Sequence, residues 1–152
     1  MKISKALKMN SWVKLATIIF IFSFYITCSK VEILNELQFQ KTLLSGTGSF
    51  DDMERIWKVD SITINGEGLN LSNSQLKYTK TFKFQGGFMD SDGNLGIWEM
   101  PSLTVLEISI LNTKTEKSLS YEIKELNSIK LDLKLQDGSD RYEYFFITQE
   151  NE

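Results

Sequence analysis

The sequence contains no histidine, and it has one cysteine and one proline among its 152 residues. Without histidine, the chain cannot form a catalytic triad in which imidazole is the general base, or a metal site with imidazole ligands. A single cysteine likewise excludes a disulfide framework and a cysteine-rich zinc module. These absences remove several common classes of enzyme and metalloprotein.

A strong positive charge is also missing. The chain carries 17 lysine and arginine residues against 20 aspartate and glutamate residues, a net charge of −3. A surface that follows nucleic-acid phosphates is strongly basic, so we expect no nucleic-acid partner. With 41% hydrophobic residues, the length is sufficient for one globular domain and hardly for two.

Residues 1–27 have the pattern of a secretory signal peptide. Their four lysines precede an apolar run at residues 15–26, and no acidic residue occurs before Cys28. This run has 12 residues, whereas a membrane-spanning helix needs about 20. The sequence therefore predicts a signal peptide here and not a transmembrane helix.

The only cysteine, Cys28, lies two residues beyond the apolar run. The stretch Tyr25-Ile26-Thr27-Cys28 resembles the lipobox of bacterial lipoproteins, in which the signal is cut before a cysteine that is then lipidated. The resemblance implies that acyl chains such as palmitate on Cys28 attach the protein to a membrane. The alternatives are an ordinary cleaved signal with an incidental cysteine, or a retained single anchor.

Cleavage before Cys28 removes four of the 17 basic residues, leaving 13 against 20 acidic ones and a net charge of −7 for residues 28–152. Anionic lipid head groups repel such a chain, so we expect attachment through the lipid alone. Ser29-Lys30 lacks the aspartate that marks inner-membrane retention of lipoproteins. The resemblance thus implies the outer membrane of the cell envelope, on either its periplasmic or its outward face.

Residues 28–49 are predicted to be a partly helical tether. Val31, Leu34 and Leu37 recur at the three-residue spacing of one helix face, and Ser45-Gly46-Thr47-Gly48 interrupts the pattern. A partner-binding amphipathic helix is the alternative, but its apolar positions are few. Residues 50–152 then form the folded domain.

From Met53 onward the sequence consists of short alternating runs separated by turn residues. Trp57 and Val59 share one phase and Ile62 and Ile64 the other, which predicts a bulge near Asp60-Ser61. A later strand is expected to end at Pro101, which cannot donate to a sheet. The predicted hairpin turns are Asn65-Gly66, Gly86-Gly87, Asp92-Gly93, Asn112-Thr113, Asn127-Ser128 and Asp137-Gly138. No helix-length pattern interrupts the runs, so we predict an all-β fold, an antiparallel up-and-down meander closing into a small barrel or half-barrel.

Four motifs occur in an order that resembles the lipocalin-like domains of small lipoproteins from Gram-negative bacteria. They are Ile56-Trp57-Lys58-Val59, Phe82-Lys83-Phe84-Gln85-Gly86-Gly87, Gly96-Ile97-Trp98 and Tyr121-x-Ile123-x-x-Leu126-x-x-x-x-Leu131-x-Leu133. The resemblance covers about residues 50–148. It implies a calycin-type meander barrel, that is, a lipocalin-like barrel.

A small hydrophobic ligand is the partner that such a barrel would hold. We predict that aromatic residues of the interior phase contact it: Trp57, Tyr78, Phe82, Trp98, Tyr121 and Tyr144. The long connection from Gly66 to Gln75, with Leu69 and Leu71, is expected to fold over the open end.

The alternative is that the aromatic residues simply fill the core, and that the domain is a structural or protein-interaction lipoprotein. It would then bind another protein of the cell envelope. Phe145 and Ile147, in the opposite phase from Tyr144 and Phe146, are the best candidates for an exposed apolar patch.

Enzyme activity is not expected. The run Asp90-Ser91-Asp92-Gly93-Asn94 fails as a calcium loop because Leu95 and Pro101 occupy the positions that need glycine and an acid. Acidic residues such as Glu107, Glu122 and Asp132 lie on the solvent-facing phase, so no pair of carboxylates converges. We therefore predict no catalytic residue, no metal site and no cofactor.

Overall fold

The computed structural model describes residues 32–46, 54–113, 115 and 117–149. The chain divides into two compact units between Glu36 and Leu37. Of the first unit the structure describes residues 32–36, which are helical, and the second unit begins at Leu37. The helix α1 spans residues 32–45. The strands are β1 Glu54–Ile64, β2 Glu67–Gly68, β3 Thr79–Lys83, β4 Gly87–Asp90, β5 Leu95–Ser102, β6 Val105–Ile110, β7 Lys117–Leu126, β8 Lys130–Asp137 and β9 Asp140–Thr148, with a 3-10 turn at Gln75–Lys77.

The strands form one antiparallel sheet in the order β2-β1-β3-β4-β5-β6-β7-β8-β9, and β1 also pairs with β9. This last pairing closes eight strands, all except β2, into a barrel. Apart from the short β2, each strand pairs with its neighbour in sequence, as in an up-and-down meander. The predicted all-β meander barrel is confirmed.

The bulge predicted in β1 is also confirmed. Val59 pairs with Phe146 and Ser61 pairs with Phe145, so Asp60 is the extra residue in β1. The bulge moves Ile62 into the interior phase that Trp57 and Val59 occupy before it.

The last residues of α1 pack against the start of β1. Leu44 and Ser45 are both 0% exposed, and the indole Nε1 of Trp57 donates a 2.8 Å hydrogen bond to the Leu44 carbonyl. The Arg55 guanidinium donates to the Leu43 carbonyl. The helix ends where predicted, since Gly46 has a φ of +89°. Part of the predicted tether therefore covers one end of the barrel.

The interior half of the barrel next to α1 is filled. Phe82 contacts Phe88 and Trp98 with ring centroids 5.5 and 6.0 Å apart. The Trp98 indole donates a 2.8 Å hydrogen bond to the Lys83 carbonyl. The buried hydrophobic residues of the core are Leu44, Trp57, Val59, Phe82, Phe88, Trp98, Met100, Leu106, Ile108, Ile110, Tyr121, Ile123, Leu131, Leu133 and Phe146.

The expectation that a strand ends at Pro101 is wrong, because β5 continues through Pro101 to Ser102. Pro101 is exposed, and the β5–β6 register shifts between Glu99 and Ser102. This irregular pairing accommodates a residue that has no amide hydrogen to donate.

The Asn65-Gly66 turn has the geometry that its sequence predicts. Both residues have positive φ values, 54° and 89°. The Asn65 side chain also exchanges hydrogen bonds with β9: its Nδ2 donates to Asp140 Oδ1 and its Oδ1 accepts from the Arg141 amide. The turn therefore connects the end of β1 to the start of β9 at the barrel end opposite α1.

Candidate functional site

An open cavity of about 410 Å³ lies in the barrel at the end opposite α1. Its volume is within the range of small-molecule binding sites. It is lined by Val59, Ile62, Ser74, Gln75, Tyr78, Lys80, Asp90, Asp92, Asn94, Ile110, Lys117, Leu119, Tyr121 and Tyr144. The barrel thus has a filled half and a half with accessible space.

The long connection from Gly66 to Gln75 contributes two residues to the cavity wall. Ser74 and Gln75 are among its lining residues. Gln75 begins the 3-10 turn at Gln75–Lys77. The Ser72 hydroxyl and amide both donate to Gln75 Oε1, at 2.8 and 2.9 Å, and order the start of this turn. Leu71 packs against the core, whereas Leu69 is exposed.

A lysine, Lys80, is buried in the wall of the cavity. It lies on β3 between Tyr78 and Phe82, in the phase of the strand that points into the barrel, and is only 5% exposed. Because Phe82 belongs to the filled half and lies about 7 Å further along the strand, Lys80 is at the floor of the cavity. Burial of a lysine at this depth requires compensating interactions.

Three aromatic rings surround the Lys80 ammonium and form an aromatic cage: Tyr78, Phe88 and Tyr121. Nζ lies 5.3, 5.1 and 5.7 Å from their ring centroids. It also donates a 3.0 Å hydrogen bond to the Tyr78 hydroxyl. The negative faces of aromatic rings attract a cation, so the cage offsets part of the loss of hydration.

The carboxylate of Asp90 is the second buried charge. Asp90 pairs directly with Lys80 across β3 and β4 and is 7% exposed. Its Oδ1 accepts from the amides of Asp92 and Asn94, and its Oδ2 accepts from the Asn94 side chain and the Tyr78 hydroxyl, at 2.9–3.0 Å. This carboxylate therefore holds the β4–β5 hairpin tip.

The Tyr78 hydroxyl connects the two charges. It donates to Asp90 at 2.9 Å and accepts from Lys80 at 3.0 Å. Burial and the Asp90 carboxylate both raise the pKa of Tyr78 above its usual value of 10.0. The phenol therefore stays neutral at physiological pH and serves as both donor and acceptor.

Burial has the opposite effect on the lysine. It lowers the pKa of Lys80 from 10.5 to about 8, although Asp90 and Asp92 partly counteract the shift. Burial also raises the pKa of Tyr121 and of Tyr144. At neutral pH the cavity therefore presents a protonated lysine among uncharged tyrosines.

The six aromatic residues predicted to contact a ligand fall into two groups. Tyr78, Tyr121 and Tyr144 line the cavity. The other three belong to the filled half of the core: Trp57, Phe82 and Trp98. Trp98 also borders a second, more open depression of about 640 Å³, beside Lys41 of α1 and Met100.

Lys80 and Asp90 were not among the predicted site residues. Their signal is present in the alternation, because Lys80 is in phase with Tyr78 and Phe82, and Asp90 is in phase with Phe88. A charged residue at an interior position of a strand is uncommon and marks a candidate site.

The remaining predicted residues lie elsewhere. Ile147 is 42% exposed on the outer face of β9, and Phe145 is half-buried. The predicted lipid-attachment residue, Cys28, and the predicted signal peptide, residues 1–27, lie outside the described residues. None of the helices in the described ranges combines the length and apolar character needed to cross a membrane.

Among known proteins, no family model, no curated protein and no solved structure matches the chain.

Proposed function

We propose that this protein is a lipid-anchored lipoprotein with a lipocalin-like domain that binds a small hydrophobic ligand. The observation that carries the binding proposal is the cavity of about 410 Å³ inside the closed barrel. A barrel of eight strands is just wide enough either to be filled by side chains or to hold one small ligand. Here one half is packed with aromatic residues, and the other half has space bounded by Tyr78, Tyr121 and Tyr144.

The character of the cavity wall supports an apolar ligand with a polar group. Ile62, Ile110 and Leu119 contribute aliphatic surface, while the tyrosines and Lys80 supply a few polar atoms. Small-molecule sites typically combine a largely apolar wall with a small number of placed polar groups.

Displacement of a fluorescent fatty-acid probe tests the binding proposal. The full chain is reconstituted in lipid nanodiscs, with empty nanodiscs as the blank, and binding should be saturable and reversed by unlabelled fatty acid. Leu119→Trp, which fills the cavity, should abolish it, because Leu119 lines the wall. The matched control is Ile147→Trp on the exposed outer face of β9, which should bind the probe like the wild type.

Equal binding by wild type and Leu119→Trp would place the probe outside the cavity and contradict the proposal. Circular dichroism of both variants should establish that the barrel is intact. Absence of any saturable binding would favour the second function below.

The second function is a structural or protein-interaction lipoprotein with no ligand. It is supported by exposed apolar side chains on neighbouring positions of the outer wall: Met89 of β4 pairs with Leu95 of β5, and Ile97 follows on the same face. Exposed apolar patches of this kind are typical of protein contacts.

The lipid anchor is proposed from the lipobox-like sequence before Cys28. Intact mass spectrometry of the membrane-extracted protein tests it, beside a Cys28→Ala variant expressed in the same way. The expected mass is that of residues 28–152 plus acyl chains such as palmitate, and the variant should lack this species. A wild-type mass without lipid would contradict the anchor and leave the binding proposal standing.

A further inference from the structure

Lys80 has hydrogen-bonding capacity that its neighbours do not use. An ammonium has three N–H donors. Among the described residues its one hydrogen-bond partner is the Tyr78 hydroxyl, and none of the ion pairs in that part of the chain includes it. Two donors on a buried cation at the cavity floor are therefore available to a ligand.

Asp90 does not take this role, although it is the nearest buried anion by register. Its two oxygens already accept four hydrogen bonds, from the Tyr78 hydroxyl, two hairpin-tip amides and the Asn94 side chain. It reaches Lys80 only through the Tyr78 hydroxyl. The lysine is thus compensated by rings and a hydroxyl, whereas a buried ammonium is stabilised most by a directly bonded anion.

The rest of the cavity wall indicates which chemical group is attached to an anion that binds Lys80. Val59, Ile62, Ile110 and Leu119 form an aliphatic surface around the cavity. Ile62 lies beyond the β1 bulge, further towards the mouth than Trp57, the β1 residue that pairs with Lys80. Leu119 lines the same cavity. A ligand with its anion at the floor would extend an apolar tail towards the mouth.

We propose that the cavity binds an organic carboxylate with a short or medium apolar tail, whose carboxylate accepts hydrogen bonds from Lys80. This inference rests on the proposed function, because it names the ligand class of the same cavity. The aromatic cage holds the Lys80 side chain in place, so that the ammonium is oriented before the ligand arrives. The tail contacts Ile62, Ile110 and Leu119.

Binding should depend on pH, because it requires the protonated lysine. The titratable and charged groups that line the cavity around Lys80 are Tyr78 just before β3, Asp90 and Asp92 at the β4–β5 tip, Lys117 and Tyr121 on β7, and Tyr144 on β9. The tyrosines have pKa values raised above 10.0 and stay neutral up to pH 9. With the pKa of Lys80 at about 8, a carboxylate should bind roughly tenfold more weakly at pH 9 than at pH 7.

The experiment is calorimetric titration of octanoate and of octanol into the full chain in lipid nanodiscs, at pH 7 and pH 9, with empty nanodiscs as the blank. Octanol has a similar tail and no charge. Octanoate should bind more tightly than octanol at pH 7, and only the affinity for octanoate should fall at pH 9. This comparison needs no variant, so it remains decisive if a substitution prevents folding.

Substitutions then assign the effect to the lysine. Lys80→Met, which keeps a long apolar side chain, should weaken octanoate at least tenfold and remove its pH dependence, while octanol binds as before. Lys117→Met tests the other lysine that lines the cavity, which is exposed. Lys83→Met is the matched control, because Lys83 lies on the same strand as Lys80 but is exposed and is not a cavity-lining residue. It should change octanoate affinity less than threefold.

Three other outcomes overturn the inference, and they differ in what they leave. Equal affinity for octanoate and octanol at both pH values would mean a ligand bound by its apolar part alone, and the proposed function would stand. Loss of octanoate binding in Lys117→Met but not in Lys80→Met would place the carboxylate beside the exposed Lys117 and not beside Lys80. If neither compound nor the fatty-acid probe binds, the proposed function itself fails.

Discussion

Lys80 and Asp90 face each other across β3 and β4 in the barrel interior, and the Tyr78 hydroxyl joins them at 3.0 and 2.9 Å. The two charges therefore do not form a direct ion pair. The Lys80 ammonium is surrounded by aromatic rings, whereas the Asp90 carboxylate is hydrogen-bonded to the β4–β5 hairpin tip. Lys80 is therefore able to contact a ligand, while Asp90 orders the loop beside it.

Removing the bridging hydroxyl should destabilise the fold. Tyr78→Phe keeps the ring of the cage but leaves both charges without one partner, so the free energy of unfolding should fall by roughly 1–3 kcal/mol. Urea denaturation at pH 7 measures it. The control is Tyr142→Phe, since Tyr142 is also half-buried and stacks on Tyr144. A loss in the control as large as that in Tyr78→Phe would mean that the hydroxyl bridge has no special importance.

The hairpin tip should depend on Asp90 and not on its acidic neighbour. Asp90→Ala removes the acceptor of four hydrogen bonds, and hydrogen bonds to a buried charge stabilise a fold by about 1.5–3 kcal/mol each before relaxation. We expect a loss of at least about 3 kcal/mol in chemical denaturation. Asp92→Ala, at an exposed position of the same tip, should change stability by less than about 0.5 kcal/mol. Similar losses for both would show that the tip is held by its backbone alone.

The alternation of apolar and polar residues along the strands predicts part of this site. A period of two identifies interior positions, so Tyr78, Tyr121 and Tyr144 are correctly predicted to face the inside. It does not tell which end of the barrel a residue occupies. Trp57, Phe82 and Trp98 are also interior, yet they pack in the filled half, because the register of the strands places them next to α1.

The parts that sequence patterns miss depend on contacts between distant segments. The end of α1 covers the barrel because Trp57 donates to the carbonyl of Leu44, 13 positions earlier. Nothing in the periodicity of either segment indicates that hydrogen bond. The Lys80–Asp90 pairing likewise depends on the β3–β4 register, which the turn at Gly86 determines.

Stability should rise with pH above neutrality because of Lys80. Its pKa is about 8 in the folded chain and 10.5 as the ordinary value, so between these values the unfolded state binds more protons. Unfolding then becomes less favourable as pH increases. The free energy of unfolding should rise by about 2 kcal/mol between pH 7 and pH 9.5. Above pH 10 the trend reverses, because Tyr78, Tyr121 and Tyr144 have raised pKa values and ionise first in the unfolded state.

Urea denaturation at half-unit pH intervals measures this profile. Lys80→Met should be more stable than the wild type at pH 7, and its profile should be flat between pH 7 and pH 9.5. A wild-type profile that is equally flat would mean that Lys80 titrates near its ordinary value. The aromatic cage would then stabilise the ammonium as well as water does in the unfolded chain.

A close approach between β5 and β6 should make Gly96 irreplaceable. Gly96 pairs with Ile110, and a Cβ added to it would lie 2.1 Å from the Ser109 carbonyl oxygen, which is backbone and cannot rotate away. Gly96→Ala therefore forces the two strands apart and should destabilise the barrel by roughly 1–3 kcal/mol, measured by thermal and urea unfolding. Gly68→Ala in the exposed β2 is the matched control, since an added Cβ there meets no atom within 4 Å among the described residues. Because Ile110 lines the cavity, Gly96→Ala should also weaken probe binding at ligand concentrations where Gly68→Ala binds normally. An unchanged stability in Gly96→Ala would show that β5 and β6 separate at little energetic cost.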